Sequence, residues 1–184
     1  MKPNKKNTSV YKNIIMCILI STVIFGGLYL IKYHQNVNSL INYSIYANLS
    51  ETKYILNELD KDLLNLDNEK INKEEFTSIL KSTSINVGYN IYTTKKYKQI
   101  NKRLDYVDIS MLNYYIKDLA SQNITDANDL QIHKNNLIEI CELWKETSVD
   151  ISDNYFTPSA ELKETLLATK KLSQKGYDQL YQEK

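Results

Sequence analysis

The chain has 184 residues, with 23 basic and 22 acidic side chains, four glycines, two prolines and two cysteines. That length supplies one modest domain with additions. The balanced charge argues against a bulk electrostatic nucleic-acid binder, the scarce glycines against a phosphate cradle, and two cysteines against a disulfide framework.

The balance hides an asymmetry. No acidic residue precedes Glu51, while Lys2, Lys5, Lys6, Lys12 and Lys32 fall in the first 34 residues. The remaining residues carry 18 basic against 22 acidic side chains, so the body is mildly acidic. Lys, Asn, Ile and Tyr abound beside a single Arg, Arg103. Such usage matches an AT-rich coding sequence, and a low-GC bacterial source is expected from it.

The first predicted element is the uncharged run 14–31. Eighteen residues at 1.5 Å each reach about 27 Å, close to the hydrocarbon thickness of a bilayer. Tyr29, Lys32 and Tyr33 suit the far interface. A cleaved signal peptide is the rival reading, but the run is long and continues into "LIKYHQN", without small residues at −3 and −1. The expected organisation is a basic tail over 1–12, a signal-anchor helix over 13–33 and a helical domain over 34–184. Four lysines before the span and one just after it orient the N-terminus to the cytoplasm and the body to the outside of the cell membrane. Thr22 and Gly26 form a small-xxx-small pair through which two spans could approach.

The body carries Gly88, Gly176 and Pro158 and no other Gly or Pro, which points to helices rather than many short strands. The expected fold class is all-α: an antiparallel bundle of about four to five helices after the span. The first helix of the body runs over 37–66 and continues directly out of the span. Ile45, Leu49, Thr52, Leu56, Leu59, Leu63 and Leu66 follow a 4-3 spacing, a heptad seam, with Ile41, Ile55 and Leu64 widening it. Asn72, three before Glu75, resembles a capping box and opens a second helix with Phe76, Leu80, Thr83, Val87 and Ile91 inward. "NVGYNIYTT" fits either a helix or an extended segment, and 95–108 reads as a polar connector. A third helix starts near Asp108 and buries Ile109, Leu112, Ile116 and Leu119. Thr125 or Asp126 caps a fourth, with Leu130, Leu137, Cys141 and Trp144 in its seam, Ile138 and Ile140 beside it, and Lys134 interrupting it. Residues 147–159 read as a linker. Thr157 and Pro158 then suit the cap and first turn of a fifth helix, packing through Leu162, Leu166 and Leu167.

The chemistry-bearing motifs of nucleotide, zinc-protease, dithiol and serine-hydrolase sites do not occur. The expectation is a non-enzymatic protein without cofactor or metal. Cys141 reads as a small buried hydrophobe. His133 reads as a solvated histidine on a polar face. Glu58, Asp60, Asp62, Asp67 and Glu69 read as a solvated helix face and turn. One stretch rises above this background: Lys95, Lys96, Lys98, Lys102 and Arg103 alternate with Tyr89, Tyr92, Tyr97 and Tyr106. An antiparallel second helix returns this end toward the bilayer, so it reads as a patch for anionic headgroups or a wall polymer and not for nucleic acid.

In architecture, an apolar helix leading into a helical bundle resembles the four-helix sensor ectodomains of chemoreceptors and kinases. That resemblance implies a ligand between helices and signalling through a partner chain. The composition itself points to a membrane-anchored interaction or accessory module, with the bilayer as one partner. A protein partner or a second copy could engage through the helical seam.

Overall fold

The computed structural model describes residues 5–66, 72–100, 107–122, 124, 126–149 and 159–182. It is helical: α1 covers Lys5–Asn65, α2 Lys73–Ile100, α3 Ser110–Ser121, α4 Ala127–Glu146 and α5 Ala160–Gln182. There is no strand among the described residues. The chain divides into two compact units, Met1–Leu40 and Ile41–Lys184.

The first unit carries a helix long and apolar enough to cross a membrane. Its large apolar side chains point outward on all sides, from Ile14 at 50% exposure to Val23 at 73%. The two aliphatic hydroxyls inside the run, Ser21 and Thr22, turn back on their own helix. Ser21 Oγ donates to the Cys17 carbonyl at 2.8 Å and Thr22 Oγ1 to the Ile18 carbonyl at 2.9 Å. Both hydroxyls are thereby satisfied within the segment.

The second unit is built on the heptad seam. Ile45, Leu49, Thr52, Leu56, Leu59, Leu63 and Leu66 are all buried, as is Ile41. Leu64, expected to widen that stripe, faces out at 60% exposure. It lies 100° round the helix from Leu63, past the edge of the buried face. On α2, Phe76, Leu80, Thr83, Val87 and Ile91 are buried. The helix begins where its cap predicts: Asn72 Oδ1 accepts from the Glu74 and Glu75 amides at 3.0 and 3.4 Å. Residues 85–95 are helical, and α2 runs on to Ile100, so the first six residues of the expected polar connector are helix. Asn90 and Thr94 explain this, because both face inward and bond to α1. Asn90 Nδ2 donates to Thr52 Oγ1 and Asn48 Nδ2 to Thr94 Oγ1, each at 3.3 Å. Residue numbers fall on α2 as they rise on α1, so these two helices run in opposite directions.

The shorter helices follow their caps. Asp108 Oδ1 accepts from the Ser110 amide at 3.0 Å before α3. Asp126 Oδ1 accepts from the Asn128 amide at 2.6 Å before α4, while the alternative cap Thr125 lies outside the described residues. At α5 the cap is Ser159, whose Oγ accepts from the Leu162 amide at 3.0 Å. The expected Thr157–Pro158 start lies outside the described residues. Leu162 and Leu166 are buried, but Leu167 is 54% exposed. The inner face of α5 instead continues through Thr165, Thr169, Ser173 and Gly176 to Leu180.

α2 packs on α3, α3 on α5, and α5 on α4. α4 closes back on α1 through Lys53 Nζ to the Thr147 carbonyl at 2.7 Å and Lys134 Nζ to the Leu66 carbonyl at 2.9 Å. The α5 backbone approaches α3 and α4 most closely at Gly176. A β-carbon there would sit 2.4 Å from Tyr115 Cζ and 2.5 Å from Asn136 Nδ2. Gly176→Ala should therefore lower stability by about 1–3 kcal/mol through overpacking. At Gly88 the added methyl meets Asn113 Nδ2 at an ordinary 3.4 Å. Gly88→Ala should raise stability by about 0.5–1 kcal/mol through helix propensity. Urea unfolding of the two variants checks the pair, and shifts of the same sign would defeat the packing argument.

Candidate functional site

α2 turns one stripe outward: Ile85 and Tyr89, each 72% exposed, and Tyr92, 60% exposed. Lys96 continues it, its Nζ 4.6 Å from the Tyr92 ring centroid. Lys95 is 100° further round the helix and turns toward α3, its Nζ 5.9 Å from the Tyr114 centroid. Both distances lie within cation–π range. The two lysines are exposed, but they serve different faces, so the patch wraps a helix end rather than forming one flat surface. Lys98 lies on α2, and its side chain is outside the described residues, as are Lys102, Arg103 and Tyr106. The bonds from Asn48 to Thr94 and from Asn90 to Thr52 set this end of α2 beside the first bundle residues of α1.

Beside the stripe, a groove of about 540 Å³ lies between α1 and α2. Asn48, Glu51 and Ile55 line one wall, and Ile85, Asn86 and Tyr89 the other. It is open to solvent. Between α2 and α3, by contrast, the space near Ile91 and Val107 is about 10 Å³, close to one water molecule. The heptad seam of α1, considered above as a surface for a partner, is covered by the chain's own helices. The apolar residues that α1 leaves exposed in the second unit, Tyr43, Tyr54 and Leu64, lie off that seam. Thr22 and Gly26 are both on the exposed first-unit helix, and nothing lies within 4 Å of a β-carbon built at Gly26.

Three titratable residues differ from their expected settings. His133 is not solvated: it is 5% exposed, and its Nδ1 meets the Tyr115 hydroxyl at 2.9 Å. Burial holds its imidazole below the ordinary value, against a weaker opposing pull from Asp129. Asp60, expected on a wet face, is 1% exposed and pairs with Lys145 Nζ at 2.5 Å. That hydrogen bond holds the Lys145 ammonium above its usual range. Lys134, expected to break the α4 seam, is 2% exposed and joins it. Its ammonium meets a carbonyl just past the C-terminus of α1, where a cation is favoured. The misses share a cause: a polar residue at a seam position reads as an interruption until its partner on another helix is known. Cys141 is fully buried as expected, and burial pushes its thiol up, which keeps it protonated and unreactive.

Buried hydroxyls and amides are spent between helices. Trp144 Nε1 donates to Thr169 Oγ1 at 2.9 Å. Thr147 donates to the Leu143 carbonyl at 2.7 Å and so accepts from Thr165 Oγ1 at 2.6 Å. Among the described residues, no three His, Cys, Asp or Glu side chains gather as metal ligands would. No protein-family model, no curated protein and no solved structure matches the chain.

The Asp60–Lys145 pair gives a test of the α1–α4 contact. Lys145→Ala should destabilise the fold, because it strands a buried carboxylate. Adding Asp60→Leu should restore much of that loss, since an apolar pair avoids the desolvation cost. A double-mutant cycle in urea measures the coupling, and strictly additive effects would show that the two side chains do not act together.

Proposed function

We propose that the chain is a single-pass membrane protein whose outer, antiparallel helical bundle is a non-enzymatic interaction module. In this reading 1–12 is a cytoplasmic tail, 13–33 the anchor and 34–184 the extracytoplasmic domain. The observation that carries it is the contrast between two apolar surfaces of one helix. Along 14–31 the apolar side chains stand at least half exposed on all sides, whereas the seam of the second unit is buried. An apolar surface of that extent without a protein cover calls for lipid. The lysine excess before the span gives the direction.

The α2 end supplies the first contact surface. The bundle begins at Ile41, ten residues after the apolar run, so the connection to the anchor is short in sequence. Lys95 and Lys96, with Lys98, Lys102 and Arg103 in the same stretch of sequence, then meet anionic headgroups. Each lysine near such a surface contributes about 1 kcal/mol, and Tyr92 and Tyr114 suit the interfacial zone. A protein partner would use the outward stripe of Ile85, Tyr89 and Tyr92, because the seam is occupied.

The open α1–α2 groove favours a second reading, a sensory ectodomain signalling through a partner chain. Its volume falls in the small-molecule class, and it offers Asn48, Glu51 and Asn86 as polar contacts.

Two experiments test the proposal. In a Cys17→Ser/Cys141→Ala background, Lys184→Cys should react with an impermeant maleimide on intact cells, on full-length protein in the cell pellet. Label confined to a shortened form in the medium would mean a secreted protein. Label only after lysis would place the bundle in the cytoplasm and end the proposal. Purified 34–184 should sediment with anionic vesicles and lose most of that binding when the five basic residues become Gln. Unchanged binding would remove the patch from the reading.

A further inference from the structure

The α3–α4–α5 interface holds a polar cluster that anchoring does not require. Tyr115 on α3 is fully buried, His133 is 5% exposed and Asn136 7% exposed on α4, and Ser173 on α5 is fully buried. The Asn136 amide donates to the Leu172 carbonyl of α5 at 3.2 Å and, with the Tyr115 ring, closes on Gly176. Tyr115 Oη in turn meets His133 Nδ1 at 2.9 Å. Burial keeps the phenol protonated. A buried phenol must place its proton on an acceptor, and the acceptor within bonding distance is Nδ1, so Tyr115 donates to it. That fixes His133 as the neutral tautomer carrying hydrogen on Nε2.

We propose that Tyr115, His133 and Asn136 form an acid-sensitive latch that holds α5 on α3 and α4 and loosens when His133 takes a proton. Protonation puts a hydrogen on Nδ1, so two donors face each other across one short contact. The Tyr115 proton then needs a new acceptor. The acceptor at hand is Asn136 Oδ1, which is buried without a partner. Turning the amide to offer it removes the Asn136 bond to Leu172 and sets two oxygens against each other. Tyr115 cannot move aside, because Gly176 of α5 lies against its ring. Ser173 Oγ, also buried without a partner, adds to the polar groups α5 leaves unsatisfied here. The strain therefore falls on the docking of α5.

The surrounding charges leave the imidazole as the responsive group. On α4, Asp129 favours its charged form but is outweighed by burial, and the neighbouring Lys134 is committed to the Leu66 carbonyl at the end of α1. On α3, Asp118 accepts from the Tyr181 hydroxyl at 2.7 Å. On α5, Lys175 is exposed and Tyr177 half-buried, while Leu172, Ser173 and Gly176 carry the contact.

The folded imidazole is held below its ordinary 6.5. The stabilisation from neutral His133 is therefore complete above that value and is lost as pH falls from there through the folded value. Proton uptake on opening makes the opening constant rise by up to about tenfold per pH unit in that window.

The test uses the full chain in detergent micelles. Amide exchange of α5, corrected for intrinsic rates, is followed from pH 7.5 to 5.5 in the wild type and in His133→Gln, which accepts from Tyr115 but does not titrate. Exchange-derived opening should rise as pH falls below 6.5 in the wild type, by up to about tenfold per unit, and stay level in the variant. Equal rises in both, or none in either, would overturn the latch. Nitrogen NMR of the two imidazoles in this chain gives a reading that needs no His133 variant, with His34→Gln assigning the signals. His133 should keep the Nε2–H tautomer below pH 6.5, and an Nδ1–H tautomer or titration at or above 6.5 would overturn the proposal.

Discussion

The second unit depends on burial of one face of α1. From Ile45 to Leu66 that face is aliphatic apart from Thr52 and Asp60, and its seven seam residues are essentially out of solvent. Each buried aliphatic side chain contributes about 1.5–3 kcal/mol relative to exposure. α2 and α4 cover the face, and their order in the chain follows from how each is fastened. α2 returns along α1 with Asn–Thr bonds at two levels, and α4 returns with Lys53, Asp60 and Leu66 as its partners. α3 and α5 complete the core from the other side.

The far side of that core is held differently. α5 faces inward with Thr165, Thr169, Ser173 and Gly176 between its leucines. Small side chains allow its backbone to come close, and close approach brings hydroxyls and amides into bonding range of Trp144, Thr147 and Asn136. Directional bonds and tight contact thus do at α5 what aliphatic area does at α1. Area tolerates small displacements, whereas a buried hydrogen bond does not. The two faces should therefore respond differently to changes in protonation.

Periodicity made the α1 seam, the inner faces of α2 and α3 and the caps at Asn72 and Asp126 legible in the sequence. These signals are local: a spacing of three and four, or a side-chain oxygen two or three residues before an amide. The helical course of 85–100 was ambiguous because β-branched residues and Gly88 weaken local preference, and the inward bonds of Asn90 and Thr94 to α1 decide it. In the sequence Leu64 and Leu167 read as core because leucine usually is, yet each sits beside a seam rather than on it. His133, Lys134 and Asp60 were the hardest to read. Their burial depends on Tyr115, the Leu66 carbonyl and Lys145, and no window on one helix contains such partners. Of the basic patch, the sequence showed composition, but not that Lys95 and Lys96 diverge onto different faces.

Trp144 is the chain's one tryptophan. It is fully buried, and its indole nitrogen is bonded to Thr169 of α5. A dry indole emits further to the blue than a wet one, and contact quenchers in the aqueous phase do not reach it. With 15 tyrosines able to transfer excitation to this single acceptor, the α4–α5 contact carries its own fluorophore. Its colour and lifetime report whether α5 is seated, in detergent or in a bilayer, without any dye attached.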